Sequence, residues 1–286
     1  MLADAVVSES YRFLRNRAAV FWSTLFVPIL GLAMAVASHY FLKQKMGELK
    51  DAKLPPELLQ VGGPLDLGLA LVELAGKAAN PMLILFVLIG AATLYAGDYR
   101  WETWRLISAR NTRFNLVLGK VGVAKLLSLV AVLLLLAFGF IGELAKGAIF
   151  ERSYAFTFGG EEAGTFILSL LVSYVRVVQV TLIGLLAAVF TRSLLAALFA
   201  PLAVSIGQFF LAVLIMPQIG WDAADWYAQA LAPNLSAETL VAFINGNPGG
   251  PTVATAWLAG ASLIGWCLIP LGLSLWWFQR QDLSKE

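Results

Sequence analysis

Residues 121–141 read VGVAKLLSLVAVLLLLAFGFI, an apolar run interrupted by a single charge, Lys125. An α-helix rises about 1.5 Å per residue, so roughly 20 such residues cross the ~30 Å of hydrocarbon in a bilayer. Five more windows of this kind stand near 20–42, 81–97, 166–190, 194–216 and 254–278. In lipid every backbone N–H and C=O must be bonded within the protein, and these Leu/Ala-rich runs lack the alternation of barrel strands. The chain is therefore expected to be an all-α integral membrane protein, a single domain of six transmembrane helices over residues 1–286.

The composition agrees. With 59% hydrophobic and 13% charged residues and a mean hydropathy of +0.79, a soluble fold would have more apolar surface than it could cover. The net charge of +2, with basic residues gathered near span ends, forms no stripe for nucleic acid, and no such partner is expected. The single cysteine, Cys267, falls in the last window, which excludes an intramolecular disulfide and a cysteine-built metal site. Residues 1–19 carry Ser8, Glu9, Arg12, Arg15 and Arg17 ahead of the first apolar run. They read as an amphipathic interfacial helix and not as a cleavable leader.

Lysine and arginine set the expected orientation. Residues 1–19, the connection between spans two and three, the connection between spans four and five, and the tail together hold eleven, among them Arg100, Lys120, Arg192 and Arg280. The opposite connections hold seven, and residues 217–253 hold none. Five of those seven lie in the long first connection, interleaved with acids such as Glu48, Asp51 and Glu57. Both termini are therefore expected in the cytoplasm.

The most informative soluble segment is LYAGDYRWETWRLISARNTRFNLVLGK, residues 94–120, between spans two and three. Trp101, Trp104 and Ile107 or Ser108 recur at helical spacing beside Glu102, Arg105 and Arg113. Two readings stand: a short helix lying along the interface and offering charges to a cytosolic partner, or Trp and Arg side chains that only anchor helix ends.

This segment resembles the signature of bacterial type-2 ABC-transporter permeases, in which an acidic residue, Gly-Thr, Leu-Leu, Pro-x-x-Arg and Gly-Lys follow the second span. Asp98, Thr103, Leu106, Ile107, Arg113, Gly119 and Lys120 stand at the corresponding positions; Glu102 replaces the glycine and Arg110 the proline. The stretch ESYRFLRNR before span one and the ending WWFQRQDL are also similar to that family. The resemblance implies a homodimer with two separate ATP-binding cassette subunits in the bacterial cytoplasmic (inner) membrane, working as an exporter. It also implies a cytoplasmic coupling helix within residues 98–120, whose Trp101, Glu102, Thr103, Arg105, Arg110 and Arg113 meet the ATPase. ATP and Mg belong to that partner. The chain needs no cofactor and is not expected to be an enzyme, since Gly76-Lys77 and Gly119-Lys120 lack the surroundings of a nucleotide-binding loop.

In span four Ser169, Ser173, Arg176 and Gln179 share one helical face. A charge near mid-membrane costs at least about 2.5–3.5 kcal/mol on insertion scales, so this face should avoid lipid. Ser173, Arg176 and Gln179 are candidates for a translocation path or dimer interface; alternatively Arg176 pairs with an acid such as Glu143 or snorkels. Gln208 reads as glue between helices. The outer loop 217–253, with Trp221, Asp222, Asp225, Trp226 and Tyr227, is expected to anchor at the interface and holds a possible re-entrant helix. Two rival classes are an ATP-independent channel or carrier, for which no internal repeat is seen, and an intramembrane enzyme, for which the lone His39 and the pair Glu161-Glu162 supply no constellation.

Overall fold

The computed structural model describes residues 2–49 (side chains to residue 45), 63–101, 103–104, 111–246 and 249–282. A helix α1 (Leu2–Arg15) precedes six helices long and apolar enough to cross a membrane. These are α2 (Arg17–Lys45), α4 (Pro81–Arg100), α5 (Arg113–Ile149), α6 (Gly160–Thr191), α7 (Leu194–Gln218) and α10 (Val253–Arg280). Shorter helices fill the connections: α3 (Leu67–Gly76), α8 (Trp226–Leu231) and α9 (Pro233–Ile244). The chain is a multi-pass helical membrane protein, and all six expected spans are present.

Helix lengths go beyond the apolar windows. The window 121–141 lies inside a helix of 37 residues, about 55 Å long at 1.5 Å per residue and well above the hydrocarbon thickness. Hydropathy reports where lipid begins, not where a helix does. Thr112 starts α5, its hydroxyl accepting from the Asn115 N–H at 3.3 Å, so residues 113–120 are already the first turns of span three.

The centre of the bundle is α4 against α6, of whose apolar windows 67% and 61% is buried; α7 and α10, at 11% and 22%, form the outside. Val87, Leu88 and Ala91 of α4, Ala131 and Val132 of α5, and Val177 of α6 have no accessible surface. In lipid this packing rests on close van der Waals contact rather than on expulsion of water, so small residues mark where helices meet. At Gly90 a Cβ would stand 2.7 Å from a Leu127 methyl and 2.9 Å from the Ser23 side chain, so α2, α4 and α5 meet at that point.

Two helices carry a widened π turn, Phe21–Leu25 in α2 and Leu211–Ile215 in α7. Each lies just ahead of a proline, Pro28 and Pro217. A proline ring cannot donate to the preceding turn and crowds its carbonyl, and the widened turn absorbs that displacement. Ser23 and Thr24 bond the carbonyls of Ala19 and Val20 at 2.6 and 2.8 Å, holding the backbone there.

At the end of the bundle away from α1, a two-residue parallel ladder joins β1 (Leu65–Asp66) to β2 (Tyr154–Ala155). Asp66 caps α3 by accepting from Gly68 and Leu69 N–H at 2.9 and 3.2 Å, and also takes the Thr157 N–H at 3.1 Å. Helix α3 is apolar but ten residues long, too short for a membrane-length window, and sequence reasoning missed it. Among its described residues the loop 217–253 holds the two short helices α8 and α9. Buried Gln229 donates to Ala223 O and to the Thr239 hydroxyl, while its own carbonyl accepts from Ser236 and from Ser262 of α10. These bonds satisfy carbonyls at the end of α8 and pin the α8–α9 pair to α10. Buried Gln208 of α7 has no hydrogen-bond partner for its amide among the described residues.

Candidate functional site

Two polar places stand out. The first is at the end of the bundle where α1, the end of α4, the start of α5 and the end of α10 converge. On α1, Ala5, Glu9 and Phe13 recur every four residues, and this face is buried against the bundle. Glu9 thereby enters a buried cluster with Asp98 of α4 and Lys120 of α5, which are 0% and 2% exposed. The Lys120 ammonium donates to Leu94 O at 2.8 Å and to Glu9 Oε2 at 3.2 Å, and it forms an ion pair with Asp98 Oδ2 at 2.5 Å. Arg12 bonds Asp98 Oδ1 at 2.6 Å and Glu9 Oε1 at 3.0 Å, and the Thr103 hydroxyl donates to Asp98 Oδ1 at 2.5 Å. Two carboxylates face two cations, so the group is neutral as a whole, the condition for burying charge at tolerable cost. Lys120 also lies 5.2 Å from the ring of buried Trp104, which packs on Phe278 and Tyr99.

Arg113 goes elsewhere. Its guanidinium donates to the carbonyls of Phe278, Gln279 and Gln281 at 3.3, 3.0 and 2.7 Å, closing the end of α10, where carbonyls lack partners and the helix dipole is negative. Gln281 is itself fixed by Tyr99 Oη at 3.0 Å and by donation to Val189 O at 2.5 Å. Charge-assisted bonds of this kind are worth about 1.5–3 kcal/mol together with the desolvation they offset. Replacing Arg113 by alanine should therefore raise amide hydrogen exchange over residues 278–281 by about tenfold or more with the spans still protected. Unchanged exchange would show that the tail is held without it.

Of the other residues read as coupling to a partner, Trp101 is 70% exposed, with the Arg100 guanidinium 5.3 Å from its ring. Glu102, Arg105 and Arg110 lie outside the described residues. Sequence reasoning passed over Glu9 and Arg12 as partners of this segment. The available signal was their i, i+3 spacing on the same side of the helix as Ala5 and Phe13.

The second place is a cavity of about 950 Å³ bounded by α6, α7, α9 and the turn from α3 into α4. Ser169, Ser173, Arg176 and Gln179 of α6 are all buried. Ser173 donates to Ala75 O at 2.7 Å, sealing the end of α3 onto α6. Arg176, close to the middle of α6, donates to Gln179 Oε1 and lines the cavity with Ser173. The pairing of Arg176 with Glu143 is not made: Glu143 bonds Lys146, one turn along α5, at 3.3 Å. The acid in the field of Arg176 is Glu238 of α9. Partial desolvation raises its carboxyl from the usual range, and the positive charge of Arg176 opposes that rise. Among the described residues no group of three His, Cys, Asp or Glu side chains is placed to hold a metal ion.

No protein-family model and no curated protein matches the chain.

Proposed function

We propose that this protein is the membrane-spanning subunit of an ATP-driven transporter of the type-2 ABC kind, an exporter in the bacterial cytoplasmic membrane with both termini in the cytoplasm. It works as a dimer with two separate ATP-binding subunits. The observation that carries the reading is the buried cluster: Asp98 meets both Thr103 and Lys120, three positions of the family-like pattern, and the cluster ties α1 to spans two and three. A force applied to the segment joining α4 and α5 would then reach both spans and the N-terminal helix as one unit, which is what a partner-driven two-state bundle requires.

Two further features fit. Val7, Tyr11 and Leu14 form an apolar stripe on α1 opposite the bundle, 68%, 62% and 65% exposed, as suits a helix lying in the interface. Exposed Trp101 belongs, with Glu102, Arg105 and Arg110 of the sequence, to the segment assigned as the contact with the ATPase.

The test is what accompanies the tagged protein when it is purified gently from its host membrane. Mass spectrometry should find a soluble ATP-binding subunit at one-to-one stoichiometry. A chain that purifies alone, from membranes whose ATPase activity does not depend on it, would overturn the reading and favour an ATP-independent channel or carrier. In the assembled complex, Glu102→Ala and Arg105→Glu should leave insertion and yield intact but lower transport-linked ATP hydrolysis several-fold. Normal hydrolysis in both would place the contact in another segment.

A further inference from the structure

We infer that the cavity beside Arg176 is a binding site for an amphipathic molecule with an anionic head group, a phosphate or carboxylate on a long apolar chain, entering sideways from the bilayer. The site belongs to a single protomer and does not depend on the transporter reading.

The argument starts from Arg176. It is 6% exposed, and among the described residues its one hydrogen-bond partner is a neutral amide, Gln179. A guanidinium carries five N–H donors, so it retains capacity for a bidentate pair with a carboxylate or phosphate. The acid in its field, Glu238, lines the same cavity from the accessible rim of α9 and makes no ion pair with it among the described residues. Two other groups aim at the same space. The N-terminus of α4, capped by Asn80 through a 2.8 Å bond to Leu83 N–H, opens on the cavity with its positive dipole end. The Ser205 hydroxyl of α7 lines it and has no partner among the described residues.

Lys77, Ser173, Asn234, Glu238 and Asn245 complete the polar part of the lining; the remaining wall is apolar, and its mouth identifies the direction of entry. Met82, Ile206 and Phe209 line the cavity yet are 48%, 56% and 52% exposed, on the outer surface of the bundle where lipid would be. A water-soluble anion would be refused by that apolar mouth and, at the polar edge of the cavity, would meet the Glu238 carboxylate. An amphipath would instead place its head on Arg176 and leave its chain among Met82, Ile206 and Phe209, continuous with the bilayer. Lys77, also on the lining, is neutralised by Glu73 at 3.2 Å and is not needed for the argument.

The probe is hexadecyl phosphate, compared with hexadecanol, added to the full-length protein in non-ionic detergent and counted by native mass spectrometry. One hexadecyl phosphate per chain is expected, bound at least about tenfold more tightly than hexadecanol. Arg176→Gln should remove that preference, and Arg176→Lys should keep part of it. Ala237→Phe, which fills the cavity from α9, should displace both probes and keeps the test decisive if Arg176→Gln does not fold. Equal binding of the two probes by the wild type, or unchanged hexadecyl phosphate binding in Ala237→Phe, would overturn the site. The source of the natural ligand is read from protein extracted directly from its membrane. A phospholipid retained against excess hexadecyl phosphate marks a resident bilayer lipid, whereas rapid displacement marks a mobile, carried amphipath; both uphold the site.

Discussion

Asp98→Ala should be the most damaging single substitution at the end of the bundle where α1 docks. It leaves Lys120 and Arg12 facing one carboxylate, Glu9, in a place where Lys120 is 2% exposed, and it strips the Thr103 hydroxyl of its acceptor. Breaking a buried ion pair from one side costs about 3–5 kcal/mol, because the remaining charge has neither water nor partner. The expected result is a clear drop in thermal unfolding temperature in detergent and a loss of folded yield. The control is a double-mutant cycle. Lys120→Met alone should also destabilise, by leaving an excess carboxylate, while Asp98→Ala with Lys120→Met should recover part of the loss, because no unpaired charge is then buried. Strict additivity of the two changes, or an Asp98→Ala protein as stable as the wild type, would mean that the cluster contributes nothing to holding these helices.

Gly119→Leu should detach the N-terminal helix. A Cβ at this position would lie 2.9 Å from the Ala5 Cβ and 3.2 Å from the Ala5 backbone carbon, and backbone cannot move aside as a flexible side-chain tip can. A leucine must therefore push α1 off α5, lengthening the Glu9–Lys120 pair and uncovering Phe13. Small-to-large changes in tight contacts cost about 1–3 kcal/mol, and here the strain is relieved by local opening of α1 alone. Trypsin cleavage at Arg12 and Arg15 should accelerate by about tenfold or more, with the spans still protected by detergent and fold. Ala5→Gly, which makes room for part of the new side chain, should slow that cleavage again. Cleavage at the wild-type rate in Gly119→Leu would show that α1 is not held by this contact.

These two positions give the Gly-Lys pair of the family-like pattern a physical meaning. The glycine lets α1 approach the start of span three, and the lysine one residue later ties it there through Glu9, a hydrogen bond between residues 111 apart in the chain. Asp98 and Lys120 were legible as charges flanking spans, and Thr103 as part of a pattern. Their mutual contact was not, because nothing in a linear pattern says that the end of α4 and the first turns of α5 are close enough to share a proton donor. Arg113 was legible as the arginine of the family-like pattern, but not as the residue that closes the end of α10. Its partners are backbone carbonyls, which every residue has, so no side-chain pattern could mark them.

The acid opposite Arg176 shows the same limit. Glu143 was the reasonable candidate by depth, but on α5 it has a lysine one helical turn away, and that local pair forms at far lower entropic cost than a pair across the bundle. Helix α3 escaped notice for a different reason. Ten apolar residues can be a buried helix, a strand or an interfacial segment, and only its cap on Asp66 and its seal onto Ser173 decide which.

What the sequence determined by itself is the number and type of the spans. Lipid leaves the backbone no partner outside its own segment, so an apolar run of sufficient length has one solution, the helix, wherever its neighbours are. What only the tertiary structure decided is which faces of those helices meet. In a bilayer the apolar side chains are equally content against lipid or against one another, so packing is chosen by glycine contacts, buried ion pairs and hydrogen bonds whose partners lie far apart in the chain. The cluster that locks α1 to spans two and three and the cavity that exposes Arg176 to an apolar mouth both arise at that level.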